Sequence, residues 1–356
     1  MNERPPLSTP QRVAVWDAAL DATRQTLRGA GLREVLTPVR LSAVAVEPFI
    51  EPVAAPPGLL ATSPELPMKR LLCRGAPSIF QIATCFRAGE LGDHHREELH
   101  LCEWYRVGED APALRADVEH LVFVVFDAVA KALREPGLPM PPAPGDWDEV
   151  GMLDLVEQTL GLRLRGDEDA GALAAALEGA TCEEARRDVS RLMADPLATV
   201  RDERLASSPR AHALAAWTAF FSAWCDACLD PWLRARVHRG VHVVDFPRAL
   251  AALSAPDDAR PVAHRFESHV HGRELANGYR ELGDADEQRR RFEDVNALRA
   301  SLDLPALPID HDFLADLRSP GLPPCAGVAL GLDRLVLLAT GRTRLADVAI
   351  ELGGLL

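Results

Sequence analysis

Apolar positions recur at helical spacing in three long stretches. Over residues 10–27, Val13, Trp16, Leu20 and Leu27 share one face, with Thr9 as the expected N-cap and Pro10 in the first turn. Gly29 and Gly31 stop that helix, and 32–37 reads as a short strand ended by Pro38. A second amphipathic helix covers 113–134 and a third 286–302, the latter with Arg and Glu on its outer face. Elsewhere the period changes to two. Residues 79–86, 99–107 and 237–246 read as strands, as does the brief 71–73. The stretch 265–282 reads as a hairpin turning at His271-Gly272. Residues 52–60 form a Pro/Gly-rich loop and 136–145 a proline-rich linker, and 146–231 is Ala/Leu/Glu-rich and reads as mostly helical. Strands flanking a helical insertion, with hairpins and few βαβ units, predict an α+β fold with a mainly antiparallel sheet flanked by helices.

Composition narrows the class. With 356 residues and 47% hydrophobic positions, the chain can bury one large core or two modest ones. Its formal charge of −14 argues against nucleic acid as a partner, because Lys and Arg on phosphates supply most of that affinity. A local basic groove stays compatible with it. Seven scattered cysteines fit reduced thiols in the cytoplasm better than a disulfide framework. Cys225 and Cys228 sit in a helical run with no second Cys/His pair at ligand spacing, so they read as buried thiols rather than half a zinc site. The N-terminus MNERPPLSTP has no apolar segment of the signal-peptide kind. The longest apolar stretch, 121–133, carries Asp127 and Lys131 and is too short to span a membrane.

Two stretches concentrate chemistry: FRAGELGDHHREELHLCEWY (86–105) and GVALGLDRL (327–335). The guanidinium of Arg87 can hold a carboxylate and a phosphate together and stabilise charge building between them. Glu103 and Tyr105 share a strand face by period-two spacing. With Glu281 they supply two carboxylates and a phenol, the equipment for a buried ammonium. If His271-Gly272 turns the hairpin, His269 faces Glu274 and Glu267 is a diagonal neighbour on the same face. Two close carboxylates repel unless a cation lies between them, so Mg²⁺ bridging ATP phosphates is their natural partner. Asn277 has the opposite parity to Glu274, and a bulge at Asn277-Gly278 is expected to bring both to one pocket. Gly327, Ala329 and Gly331 let a backbone approach a ligand, and Arg334 beyond them can stack on a base and reach a phosphate.

Four blocks occur in a telling order: TSPELPMKRLL (62–72), FRAGE…HLCEWYR (86–106), RFESHVHGRELANGYRELGDADEQRRRFE (265–293) and GVALGLDRLVLLATG (327–341). In this order they resemble the catalytic domain of class II aminoacyl-tRNA synthetases, in the lysyl branch. The nearest resemblance is to the short paralogues that attach lysine or β-lysine to elongation factor P. The resemblance implies a single class II catalytic domain over 1–356 with a helical insertion at about 146–231, no anticodon-binding domain, and a homodimer built on the helix–strand–proline unit near the N-terminus. It implies ATP and Mg²⁺ as cofactors, with Arg87 and Arg334 catalytic. Ser63, Pro64 and Glu65 would lie near the substrate α-amine, Asn277 near its carboxylate, and Glu103, Tyr105 and Glu281 near its distal amine. Ala329 stands where many lysyl-tRNA synthetases have glycine, and its methyl would narrow the amino-acid pocket. ATP would contact Arg87, Glu90, Arg96, Glu274, Leu275, Gly331 and Arg334, with Glu267 and Glu274 on the metal.

The chain departs from the family pattern in one loop. The usual F-R-x-E has Gly89 in place of the acid, which appears one residue later as Glu90. The usual His-Asn-Pro-Glu-Phe reads His95-Arg96-Glu97-Glu98-Leu99, so an aliphatic side chain replaces the aromatic expected against adenine. The expected activity is ATP-dependent activation of lysine or β-lysine and transfer to elongation factor P in the cytoplasm, with tRNA charging and membrane association disfavoured. Two alternatives remain at this stage. One is an adenylating ligase for another carrier or small molecule. The other is a non-catalytic amino-acid-binding paralogue.

Overall fold

A computed structural model describes residues 4–133, 140–194, 205 and 208–350. In chain order the strands are β1 (Arg33–Glu34), β2 (Arg40–Leu41), β3 (Ala54–Ala55), β4 (Gly58–Leu60), β5 (Ile79–Phe86), β6 (Glu98–Val107), β7 (Trp147–Gly151), β8 (Gly240–Pro247), β9 (Val262–Val270), β10 (Arg273–Arg280) and β11 (Cys325–Gly331). Eight of them form one sheet in the order β1-β5-β6-β11-β10-β9-β8-β7, and β2, β4 and β3 form a small second sheet. The six inner strands, β5 to β8 in that order, are antiparallel. Only the edges run parallel to their neighbours, β1 to β5 and β7 to β8. The mainly antiparallel α+β architecture is therefore the one the alternation predicts.

The helices are α1 (Thr9–Gly29), α2 (Glu65–Cys73), α3 (Ala111–Leu133), α4 (Met152–Leu160), α5 (Ala170–Glu178), α6 (Glu183–Leu192), α7 (Pro209–Trp224), α8 (Asp230–Arg234), α9 (Ala285–Ser301), α10 (His311–Asp316) and α11 (Leu332–Thr340), with a π-helical segment Cys225–Leu229 between α7 and α8. Strand alternation gives the sheet two unlike faces. Phe80, Cys102, Trp104, Val328, Leu330, Ala276 and Phe266 pack with α1, α3 and α11 in one core. Phe80, Trp104 and Phe266 are fully buried there and each contributes on the order of 2 kcal/mol. The Trp104 indole finds its acceptor in Asp117 of α3 at 3.0 Å, and Arg106 pairs with the same carboxylate. With one face sealed, the polar residues of the same strands are left to line the other.

The described part of segment 146–231 is mostly helical, with one strand at its start. It opens with β7, which joins the sheet edge beside β8. Trp147 stacks on His242 with ring centroids 4.7 Å apart, and a Cβ at Gly240 would lie 2.2 Å from the Trp147 ring. Trp147-Asp148-Glu149-Val150-Gly151 is too short and too polar to announce a strand, which is formed by pairing rather than by propensity. Helices α4 to α8 follow, sharing a core with Val241, Val243 and Phe246 of β8. The thiols of Cys225 and Cys228 are free, with Cys228 buried and Cys225 half-buried at the end of this helical run.

Other corrections are local. Residues 71–73 are the last turn of α2, not a strand. Leu66, Met68, Lys69, Leu72 and Cys73 are buried at helical spacing, and Pro67 is tolerated in the first turn, where its missing N–H loses nothing. Ser8, not Thr9, is the N-cap of α1, its backbone N–H donating to Gln11 Oε1 at 2.9 Å. The strand expected at 32–37 shortens to Arg33–Glu34. Part of the linker expected at 136–145 lies outside the described residues. No helix among the described residues is long and apolar enough to cross a membrane.

Candidate active site

The β9–β10 hairpin sets the geometry. His271 (φ +52°) and Gly272 (φ +76°) are both left-handed, as a two-residue hairpin turn requires, and His269 pairs with Glu274. The register then shifts between Glu274 and Ala276, so Leu275 is the extra residue and Glu267 comes opposite Asn277. The bulge therefore lies two residues before the expected Asn277-Gly278. Leu275 turns its apolar side chain into the helix-side core. Gly278 stays flat in the ladder because the Phe266 ring would meet its Cβ at 2.6 Å.

With that register, residues line up in rows across the open face. One row runs Gln81–Glu103–Ala329–Asn277–Glu267 over five adjacent strands. The next runs Ile79–Tyr105–Gly327–Tyr279–Arg265. Directly opposed residues in antiparallel strands project to the same side, so each row is a strip of one surface. This surface floors a cavity of about 730 Å³. Every residue proposed from the sequence lines that cavity except Pro64, which sits at the N-terminus of α2 and orients Glu65.

One end of the cavity is built for ammonium groups. Glu103 is 2% exposed; its Oε2 accepts the Tyr105 hydroxyl at 3.3 Å and its Oε1 is buried without a partner. Burial holds Glu103 well above the usual carboxylate range, and the negative charge of Glu65 adds to this. Glu281 is likewise raised by burial, against the pull of Lys69. Lys69, 1% exposed, lies 2.7 Å from Glu65 Oε1 and 2.5 Å from Glu281 Oε2. Burial opposes its charge, but Glu281 and Glu65 outweigh burial and keep it an ammonium. The Tyr279 hydroxyl donates to Glu65, and the Lys69 ammonium sits 5.1 Å from the Tyr279 ring centre. Gly327 belongs to this packing. A Cβ there would meet the Tyr105 ring at 2.3 Å and Glu281 Oε1 at 2.4 Å, so the glycine makes room for side chains rather than for a ligand.

Sequence reasoning missed Lys69, Tyr279 and Arg265. Two signals were present. Lys69 is four residues from Glu65 once 65–73 is read as a helix, and Tyr279 shares strand parity with Asn277 and Glu281.

The other end suits a nucleotide. Arg87 Nε donates to Thr62 O at 3.3 Å, and its Nη1 lies 3.8 Å from Glu90 Oε1. Gly89 turns the loop at φ +77°, and its N–H donates to Glu97 Oε1 at 2.7 Å. The displaced acid Glu90 still reaches the cavity, and Leu99 gives it an aliphatic wall. Gly331 lines the cavity, and a Cβ added there would meet Arg334 Cβ at 3.6 Å, an ordinary contact. Arg334 Nη1 donates to the Glu274 carbonyl at 2.5 Å. Asp333 beside it accepts the His100 backbone N–H at 2.5 Å and lies 3.1 Å from its ring Nδ1, fastening β6 to the first turn of α11. That hydrogen bond raises the His100 pKa.

No group of three or more His, Cys, Asp or Glu is placed to cage a metal among the described residues. Glu267 and Glu274 nevertheless fit Mg²⁺. Burial first, then the charge of Glu274, pushes Glu267 up to about 7, even though Arg265 Nη2 lies 2.8 Å from its Oε1. Mg²⁺ takes one or two carboxylates and completes its shell with water and phosphate oxygens, so two hard donors suffice.

Residues 9–350 match the family of class II tRNA synthetases (D, K and N). Among similar proteins, the elongation factor P–(R)-β-lysine ligase of Pectobacterium carotovorum subsp. carotovorum is 35% identical over 339 residues, covering 92% of this chain and 90% of the relative. The proteins of that name from Pseudoalteromonas translucida and Haemophilus ducreyi are each 35% identical, over 81% and 91% of this chain and 76% and 88% of their own. The ordered sequence blocks, the antiparallel sheet with its lined cavity, and these matches agree: the chain belongs to the class II aminoacyl-tRNA synthetase family of the D, K and N type.

Proposed function

We propose that the protein is a ligase that uses ATP to activate β-lysine as an aminoacyl-adenylate and then transfers it to a lysine of elongation factor P. One observation carries the reading: Glu103, Ala329 and Asn277 stand side by side in one row and line one cavity with the arginines Arg87 and Arg334. In this reading Glu103, Tyr105 and Glu281 take the distal ammonium, Glu65 takes the second amine with Ser63 beside it, and Asn277 meets the carboxylate. Arg87 draws that carboxylate to the α-phosphorus of ATP and stabilises the charge that develops as pyrophosphate leaves. Arg334, with Gly331 and Leu275 beside it, holds the base and terminal phosphate; Glu90 and Arg96 close the nucleotide side. Glu267 and Glu274 would hold Mg²⁺, which supplies charge neutralisation on the phosphates. An acceptor amine then attacks the acyl carbon and AMP departs.

The names of the relatives supply the substrate and the acceptor, and the anionic pocket and short Ala329 wall support them. A homodimer working in the cytoplasm belongs to the same reading. The test is amino-acid-dependent ATP–pyrophosphate exchange across a panel of amino acids. Exchange is expected with (R)-β-lysine or lysine alone. No exchange with either would refute activation.

A further inference from the structure

Lys69 has no role in the reading above, yet it is buried against the ammonium-binding end and paired with two of its carboxylates. Its Nζ lies 2.7 Å from Glu65 and 2.5 Å from Glu281. These carboxylates come from separate elements, α2 and the segment just after β10. Tyr279 braces Glu65 from β10, but Lys69 is the cation that bridges the pair. Glu103 is left out of this bridge, and its Oε1 is buried without a partner.

The charge count has consequences. Three carboxylates face one protein ammonium, and an uncompensated buried charge is far costlier than a paired one. Lys69 pairs with Glu65 and Glu281 before any ligand arrives, and the acceptors left open on Glu103 Oε1 and Glu281 Oε1 suit one more ammonium. The same bridge fixes how far Glu65 stands from Glu281. In the functional reading these carboxylates serve the two amines of the substrate, and α-lysine and β-lysine differ in where the first amine sits along the chain. A displacement of Glu65 by about one carbon–carbon bond length, ~1.5 Å, is enough to change which isomer fits.

We propose that Lys69 is a specificity-determining residue: its fixed ammonium ties Glu65 to Glu281, sets the spacing of the two amine-binding ends of the pocket, and leaves Glu103 and the open oxygen of Glu281 to receive the distal ammonium. This rests on the reading of the site as one for a lysine-like amino acid.

The test uses the full chain and ATP–pyrophosphate exchange with α-lysine, (R)-β-lysine and (S)-β-lysine, for wild type, Lys69→Met and Lys69→Arg. The kcat/KM ratios among the three isomers are expected to shift by roughly tenfold or more in K69M, with the KM for ATP within about twofold. K69M is also expected to move the pH dependence of the amino-acid KM, because two carboxylates lose their cation. K69R keeps the charge but changes its shape and reach, so it shifts the isomer ratios without moving the pH profile. A folded K69M with wild-type ratios and pH profile overturns the proposal. Should K69M fail to fold, unchanged isomer ratios in K69R overturn it equally. Wild-type protein inactive with all three isomers removes the functional reading itself, and this proposal with it. Active wild type with indifferent variants removes Lys69 alone.

Discussion

Glu103 and Asn277 stand on either side of Ala329 in one row across β6, β11 and β10, so a single methyl group separates the carboxylate from the amide. In the proposed function that methyl lies under the substrate chain. Ala329→Gly is expected to relax the choice between α- and β-lysine, raising the disfavoured isomer's kcat/KM by about tenfold, near the lower worth of one carbon in a pocket. Steady-state exchange kinetics with both isomers check this. An unchanged ratio places the discrimination elsewhere.

Gly327 makes the opposite case. Its missing Cβ is the space filled by Tyr105 and Glu281. Gly327→Ala is expected to push both aside, costing about 1–3 kcal/mol of stability through overpacking. Amino-acid KM should rise at least tenfold while ATP affinity stays close to wild type. Calorimetric titration with each ligand separates the two effects.

Binding should be coupled to proton release. Glu103 is held well above the carboxylate range by burial, and Glu281 is pushed up to about 8. Below these values the empty pocket carries protons on these groups, and a ligand ammonium favours the ionised forms. The bound state then holds fewer protons than the free state, so affinity rises as pH increases through about 8. Titration at neutral pH in buffers of different ionisation enthalpy should show protons released on binding. Proton uptake, or affinity flat with pH, contradicts this account of the pocket.

The metal pair gives a separate handle. Glu267→Gln removes one of the two carboxylates offered to the metal. The Mg²⁺ concentration needed for half-maximal exchange should increase by about tenfold, in the range expected for weakening a metal site. The KM for the amino acid should change by less than about twofold. Mg²⁺ titration of the exchange rate reads both.

Arg299 tests how the fold supports the site. It is fully buried in α9 and donates to the carbonyls of Pro305, Glu47 and Pro48, with Glu51 Oε1 at 2.6 Å. The carbonyl of Glu51 in turn accepts the Ala88 N–H at 2.7 Å, next to Arg87. Arg299→Met leaves these buried acceptors unpaired and should cost about 3 kcal/mol or more. A denaturation midpoint close to wild type would show that the 47–51 segment is held by other contacts.

Much of this was legible in the chain itself, and the failures have physical causes. β5, β6 and the hairpin read as strands because one sheet face is sealed by α1, α3 and α11. Strand alternation sorts Glu103, Tyr105, Asn277 and Tyr279 onto the open face. Lys69 escaped because 71–73 resembles a strand end, which hides its place one helical turn after Glu65. The bulge fell at Leu275 because an apolar side chain beside the turn is drawn to the core, a tertiary demand with no local signature. β7 escaped because a five-residue polar strand exists only through its neighbour.

The most direct measurement is the intact mass of purified elongation factor P after incubation with this protein, ATP, Mg²⁺ and (R)-β-lysine. The account predicts a gain of one lysyl residue that requires ATP and disappears in Glu103→Gln. An acceptor of unchanged mass, with no amino-acid-dependent pyrophosphate exchange in the same mixture, would contradict it.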